Sequence, residues 1–426
     1  MLIAFILVAL IVMICLNVPI AVALAVGGII GLLGTEGTDS LVSVALDMYD
    51  GSTKFSLIAI PMFVLAGAIM NAGGITDRLI NFVSAIIGFV RGGLAMVNIG
   101  VSLFFAEISG SAVADVAALG SILIPQMKKR GYSAPLSAAV TSSSASLAII
   151  IPPSIPMILY ATSANTSVEQ LFVAGIVPGL MGAAGLMFVA YLFARRYNLP
   201  VEQAFDLERL RTTFIDALPA FSLPVIILGG IFGGFVTATE AAGLAVLAAL
   251  VVGLWYRQID LKHLKRAMLD GGMQTAVVML LVAASVLMGG FLTRAQMPQQ
   301  LAASILEITS NKWQILLILN FFFLIIGFFL HSAAAIILVV PIVVPLIAAA
   351  GIDPVHFGLV VTLNLAIGQQ TPPVASVLIT ACAVARANIW EVSKVNIYFV
   401  AVLLTVLLIC TYVPSIPMFL VEYFYR

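Results

Sequence analysis

Two prolyl pairs, Pro152-Pro153 and Pro372-Pro373, interrupt apolar runs that otherwise read as helix, and polar side chains crowd around each. Ser142, Ser143, Ser144 and Ser146 precede the first pair and Ser154 follows it; Asn364, Gln369, Gln370 and Thr371 precede the second. Proline has no amide hydrogen, so carbonyls one turn before each pair lose their helical donors. Freed carbonyls and hydroxyls are hard oxygen ligands without full charge, which suits a weakly held monovalent cation better than zinc or calcium. Where a half-helix restarts, its exposed amides favour an anion. Short runs of small or polar residues at Ser109-Gly110-Ser111 and at His331-Ser332 offer the same two kinds of group.

Each of these residues also has a plainer role. Ser142 to Ser144 read first as helix-packing residues, because small side chains are common where membrane helices touch. Gln369 and Gln370 either bind a solute or bond the freed carbonyls, since a buried amide needs partners. His331 is either a neutral histidine held by a nearby carbonyl or a proton-switchable donor facing an anion. Glu107, Asp115 and Glu240 are the acids expected at depth. A carboxylate at the bilayer centre costs about 2.5–3.5 kcal/mol, so each needs a reason, and none is assigned as an ion ligand.

The elements that position these groups follow from composition. Of 426 residues, 62% are hydrophobic and 9% charged, and the mean hydropathy is +1.18. Soluble domains carry roughly 25% charged residues, so most of this surface faces something other than water. Several apolar runs reach the roughly 20 residues that cross a bilayer as helix. Lipid offers no hydrogen-bond partner, and the short alternation of barrel strands is missing, so the fold expected is an all-α polytopic bundle. Cys15, Cys382 and Cys410 have neither disulfide nor metal spacing. Residues 2–16 lack a basic start and a small-residue cleavage site and read as a retained helix. No phosphate-binding loop and no His-Glu-x-x-His motif is present, which argues against an ATPase or an intramembrane protease.

The chain repeats itself. Pro152-Pro153 maps onto Pro372-Pro373 (372 − 152 = 220), and the same offset carries Pro125 onto Pro345, Gly131 onto Gly351 and Leu24-Ala25-Val26 onto Leu244-Ala245-Val246. Two units are expected, residues 1–206 and 207–426. Each opens with two apolar segments (2–16 and 19–33; 217–235 and 238–256) and a third helix (55–71; 271–292). An amphipathic stretch follows (77–90, capped by Thr76; 298–308), then a pair of short arms about a small-residue break (92–127; 313–349). A helix broken at Pro-Pro and a last span close each unit. Read as re-entrant hairpins, the arm pairs leave five crossings per unit, so the second repeat is inverted. Fifteen of the 19 lysines and arginines then fall on one side, with Lys54, Arg294, Lys312 and Arg426 on the other. The basic side is cytoplasmic, and both termini are expected outside.

Ser109-Gly110-Ser111-Ala112-Val113-Ala114-Asp115, Ile151-Pro152-Pro153-Ser154, Thr237-Ala238-Thr239-Glu240-Ala241 and Gln370-Thr371-Pro372-Pro373 together resemble the large membrane subunit of TRAP transporters, the DctM type. The resemblance covers essentially the whole chain. It implies an elevator-type carrier in the bacterial inner membrane, with hairpins and broken helices moving as a transport domain against a scaffold. It implies a small four-helix membrane subunit and a periplasmic substrate-binding protein as partners, and sodium as coupling ion with no other cofactor. By the same resemblance, sodium is expected near Ser109, Gly110, Ser111 and Pro152, and again near Ser332, Gly368 and Thr371. Solute contacts are expected from Ser111, Ser154, His331, Gln369, Gln370 and Ser376. Two departures bear on the solute: many relatives have an acid where this chain has His331, and Gly-Leu-Asn where it reads Ala375-Ser376-Val377. The solute expected is a mono- or dicarboxylate organic acid, sialic acids included. Proton coupling through His331 or Asp115, and a non-transporting scaffold subunit, are the alternatives; broken helices and polar tips count against the latter.

Overall fold

The computed structural model describes residues 2–16, 18–109, 111–202 and 204–425, without the side chains of residues 2–4, 7, 11, 14, 15 and 106–109. Gly110, Arg426 and the side chains of Cys15, Glu107 and Ser109 therefore lie outside the described residues. The described chain is helical apart from one isolated bridge between Arg91 and Val201. Eight of its helices are long and apolar enough to cross a membrane. A ninth is added if Leu207–Ala217 and Ser222–Phe232, bent by 53°, count as one span.

Sequence explains where the interior helices start and stop. Ser133, Ser154, Ser167, Asp353 and Asn388 each accept a first-turn amide with the side chain, meeting donors that the helix itself leaves open. Gly131 and Gly351 turn the chain with φ of +87° and +64°, a conformation in which a β-carbon is disfavoured. The first hairpin joins Gly93–Ser109 to Ala112–Lys129, and the second joins Lys312–Phe329 to Ser332–Ala349. The first broken helix runs Ala134–Ala145 and Leu147–Ile150, then resumes at Ile155–Ala164; the second is Pro354–Gly368, then Ser376–Ala385. Both Pro-Pro peptides are cis.

The two sets of elements interleave. Ala112–Lys129 of the first hairpin packs on Ser376–Ala385 of the second broken helix, and Ser332–Ala349 packs on Ile155–Ala164 of the first. Beside them lies one long helix, Leu261–Arg294, packed on Ile20–Glu36, Leu41–Ser52, Ala59–Ala72 and Ser332–Ala349. At 34 residues it is about 51 Å long, against a hydrocarbon core of about 30 Å. Its far end is tied by Arg294 to Glu36 and Asp47 at 3.2 and 2.9 Å.

Several details differ from the sequence reading. The long helix starts ten residues before the expected 271, because Asp260 caps it through the His263 amide at 2.7 Å and Lys262, Lys265 and Arg266 occupy a wet first stretch. The amphipathic helix begins at Ile75, not after a Thr76 cap: Gly74 is the N-cap residue, and Thr76 donates to Asn71 Oδ1 at 2.8 Å. Leu41–Ser52 is a helix that no expected segment covered. The arms of the second hairpin are 18 residues each and satisfy the length and apolarity of a span, so arm length does not distinguish a hairpin from two crossings there.

Candidate functional site

Both hairpin tips and both helix breaks contribute to one cavity of about 360 Å³. The first tip supplies Ser111 and Ala112 to Ala114, the second His331, Ser332 and Ala333, and the breaks supply Ile149, Ile155, Pro156 and Gln369. The opposite wall is Val64 with Met273, Gln274, Val277 and Val278 of the long helix. Two 18-residue helices start at this cavity, Ala112–Lys129 and Ser332–Ala349. Neither Ser111 nor His331 turns its side chain back onto its own helix's first-turn amides. Those amides, with the partial positive charge of a helix N-terminus, point to an anion.

The neighbouring glutamines have different surroundings. Gln369 is 1% exposed and lines the cavity. Its Oε1 lies 3.5 Å from Ser376 Oγ, while its Nε2 has no partner among the described residues. Gln370 points the other way and joins the two broken helices. Its Oε1 is 2.8 Å from Ser143 Oγ, its Nε2 is 2.5 Å from Ser146 Oγ, and its carbonyl accepts from Asn396 Nδ2 at 3.2 Å. Ser143 Oγ is also 2.8 Å from Asn396 Oδ1. One hydroxyl proton serves one acceptor, and turning the Gln370 amide over lets Ser146 donate, Ser143 accept, and every group be met.

The other expected site residues fall into three places. Ser332 is buried on the cavity wall, beside the half-buried His331. Ser154, Thr371 and Ser376 bridge the breaks from outside the lining: Ser154 donates to the Ile149 carbonyl at 2.7 Å and Thr371 to the Ile367 carbonyl at 3.1 Å. Pro152 and Gly368 are buried, the latter against Gly327. The Ser109 side chain and Gly110 lie outside the described residues.

The acids are accounted for separately. Glu240 accepts from the Thr237 amide at 2.8 Å while Thr237 takes the Glu240 amide, a reciprocal cap on an exposed helix start. Asp115 is buried in the first turn of Ala112–Lys129, where the helix N-terminus favours a negative charge. Sequence reasoning missed Gln274, a single amide in an apolar stretch. It also missed Asn98, Asn320 and Asn396, which bind the hairpins and last span to the broken helices. A second cavity of about 370 Å³, lined by Asp47, Asp50, Lys54 and Ser285 among others, opens farther along the same long helix. Among the described residues no group of three His, Cys, Asp or Glu is placed to hold a metal.

Fold and site together define a multi-pass helical membrane protein whose broken helices enclose a solute-sized cavity. The architecture is shared with the crystal structure of the Alcanivorax borkumensis YdaH transporter, at a TM-score of 0.63 and 14% identity over 89% of each chain. Residues 7–416 match the DctM component of tripartite ATP-independent periplasmic transporters, and the chain belongs to that family. It is 38% identical to the C4-dicarboxylate TRAP transporter large permease protein DctM of Pseudomonas aeruginosa over 89% of both chains. It is 33% identical to the 2,3-diketo-L-gulonate TRAP transporter large permease protein YiaN of Escherichia coli over 95% of both. Against the isethionate TRAP transporter permease protein DctMQ of Oleidesulfovibrio alaskensis it is 38% identical, spanning 95% of this chain and 64% of that longer one. The family is a transporter component and not an enzyme.

Proposed function

We propose that this chain is the large permease of a sodium-coupled carrier importing a small organic acid, with the cavity between the hairpin tips as its solute site. The observation that carries this reading is Gln369, whose amide nitrogen is buried without a partner among the described residues, on the wall of the cavity at which Ala112–Lys129 and Ser332–Ala349 start. A buried donor left unmet costs about 1–3 kcal/mol, and a carboxylate oxygen in the cavity removes that cost.

In this reading residues 1–206 and 207–426 are inverted repeats, and the arm pairs are re-entrant hairpins. The recurrence of helix starts at Ala112 and Ser332, of left-handed Gly131 and Gly351, and of the two broken helices supports the duplication. Crosswise packing of each hairpin on the other repeat's broken helix supports their moving as one body against a scaffold that includes the long helix. Sodium sits at each tip beside a break: Ser109, Gly110, Ser111 and Pro152 on one side, Ser332, Gly368 and Thr371 on the other. A small membrane subunit and a periplasmic binding protein complete the system in the bacterial inner membrane, with both termini periplasmic. The solutes for which two relatives are named, a C4-dicarboxylate and 2,3-diketo-L-gulonate, support an acid.

The test is uptake into proteoliposomes holding this chain and its small subunit, with the binding protein outside. Uptake of labelled organic acids that needs sodium and stops with choline supports the reading. Uptake that ignores sodium and follows pH overturns the coupling ion. His331 on the cavity wall favours that second reading, proton coupling, and His331→Gln would then abolish the pH response.

A further inference from the structure

A cluster of hydrogen bonds away from the tip cavity ties the hairpins and broken helices to the scaffold. Its role rests on reading those elements as one moving body. Ala59–Ala72 packs on both the long helix and Ala238–Trp255, so these three belong to the scaffold. Val168–Arg196 packs on Gly93–Ser109, Pro354–Gly368 and Ile389–Tyr412, so it belongs to the body. The turn that joins it to Ile155–Ala164 brings residues 162–169 of the body against the scaffold.

The scaffold reaches Thr162 twice. Lys54 Nζ donates to its carbonyl at 3.2 Å, and Ser56 Oγ lies 3.1 Å from its hydroxyl oxygen. The Thr162 proton goes to the Ile158 carbonyl at 2.8 Å, so Ser56 is the donor. Asp47 and Asp50 line the cavity beside Lys54, yet Asp47 is paired with Arg294, and neither forms an ion pair with Lys54 among the described residues. A third bond joins Glu169 Oε1 to the Ala238 amide at 3.2 Å, while Ser167 donates to Glu169 Oε2 at 2.8 Å and orients the carboxylate. Ala238 opens an 18-residue scaffold helix, whose Thr237 and Glu240 amides are met by the reciprocal cap. The body thus lends a carboxylate to a scaffold helix start, where negative charge is favoured.

These bonds sit apart from the tip cavity. Lys54 and Thr162 line the second cavity, with Val282, Ser285 and Val286 of the long helix, whereas the tip cavity uses Met273, Gln274, Val277 and Val278. Gln274 and Ser285 are about 16 Å apart along the helix axis. Hydrogen bonds weaken steeply with distance, so a slide of the body by even one helical turn, about 5.4 Å, breaks all three.

We propose that Lys54, Ser56 and Glu169 form a latch that holds the body against the scaffold in the arrangement seen here. All three donors belong to the scaffold and all three acceptors to the body. Thr162 and Glu169 flank one short turn, so the bonds open together, and they open before the tips move along the long helix.

The test uses the permease with its small subunit in proteoliposomes, the binding protein outside, and Cys15, Cys382 and Cys410 replaced by alanine. Ser56→Cys with Thr162→Cys puts two thiols within disulfide reach, since the native oxygens are 3.1 Å apart. Oxidation should crosslink the pair and lower uptake of a transported organic acid about tenfold or more, and dithiothreitol should restore it. Crosslinked protein that transports as fast as reduced protein overturns the latch and leaves the proposed function standing. A pair that does not crosslink overturns the latch as well. Wild-type protein that takes up no organic acid overturns the proposed function, and the latch with it. A second variant, Lys54→Met with Glu169→Gln, leaves the interior intact and is read without solute. In right-side-out vesicles a membrane-impermeant maleimide should label Ala114→Cys in the tip cavity about tenfold faster once the latch is weakened. An unchanged labelling rate removes the holding role from Lys54 and Glu169.

Discussion

A β-carbon on Gly368 would stand 2.5 Å from the α-carbon of Gly327. Backbone therefore meets backbone where the first arm of the second hairpin crosses the second broken helix, one residue before Gln369. Two turns away along the arm, Asn364 Nδ2 donates to Asn320 Oδ1 at 2.7 Å and closes the same seam. In the first half Ser144 donates to Asn98 Oδ1 at 3.2 Å, so each hairpin is tied to its own broken helix through an asparagine on its first arm. Close backbone approach through small residues is how helices associate in lipid, where apolar area alone gives little drive.

Gly368→Ala is expected to lower stability by about 1–3 kcal/mol, because backbone on the far side cannot yield as a side chain would. Gly243→Ala serves as comparison, since nothing lies within 4 Å of the added carbon. That change should be neutral or stabilising by up to about 1 kcal/mol. Chemical unfolding of the purified permease in detergent checks both; equal behaviour of the two variants would contradict the seam.

Adjacent glutamines should give opposite phenotypes. Gln370→Ala removes the side-chain amide that meets Ser143 and Ser146 in the interior and should cost about 1–3 kcal/mol of stability, while Asn396 keeps the Gln370 backbone carbonyl. Gln369→Ala removes a donor that meets no partner among the described residues, so the melting temperature should hold while solute affinity falls about tenfold. Paired thermal melts and binding titrations on the two variants decide it.

Asp260 gives the long helix a pH-sensitive start. The His263 amide, at 2.7 Å, holds its carboxylate below the usual range, with the imidazole 2.8 Å away adding to the effect. A folded-state pKa lowered in this way contributes stability above the unfolded value, near 4, and loses it as pH falls through the lowered value. Amides of residues 261–265 should therefore lose exchange protection, after correction for intrinsic rates, as pH drops below about 4. Asp260→Asn, which caps as well without ionising, should remove that dependence.

The inverted arrangement is checked by thiol labelling. Lys129 and Ala349 end the second arms of the two hairpins, are related by the offset of 220, and are both exposed. After replacement of Cys15, Cys382 and Cys410, Lys129→Cys should react with a membrane-impermeant maleimide only from the cytoplasmic side and Ala349→Cys only from the periplasmic side. Reaction of both from one side would contradict inversion.

Much of this was legible in the residues. The Pro-Pro pairs and the small-residue tips marked the four elements that line the cavity, because helix interruption is written in local chemistry. The choice between Gln369 and Gln370 was not, since about 100° of helical rotation separates neighbours and only tertiary packing says which faces inward. Gln274 carried a faint signal, a single amide between apolar neighbours. The helix Leu41–Ser52 carried none, because Ser43, Asp47 and Asp50 break its apolar run while Asp47 serves Arg294 of another element.

The most direct test is a cryo-EM map of the permease with its small subunit, frozen with sodium and a saturating organic acid found by uptake. Density for the acid between Ser111, His331 and Gln369, within hydrogen-bonding reach of the Gln369 amide nitrogen, is the predicted result. An empty tip cavity, with the acid bound elsewhere along the chain, would contradict the account.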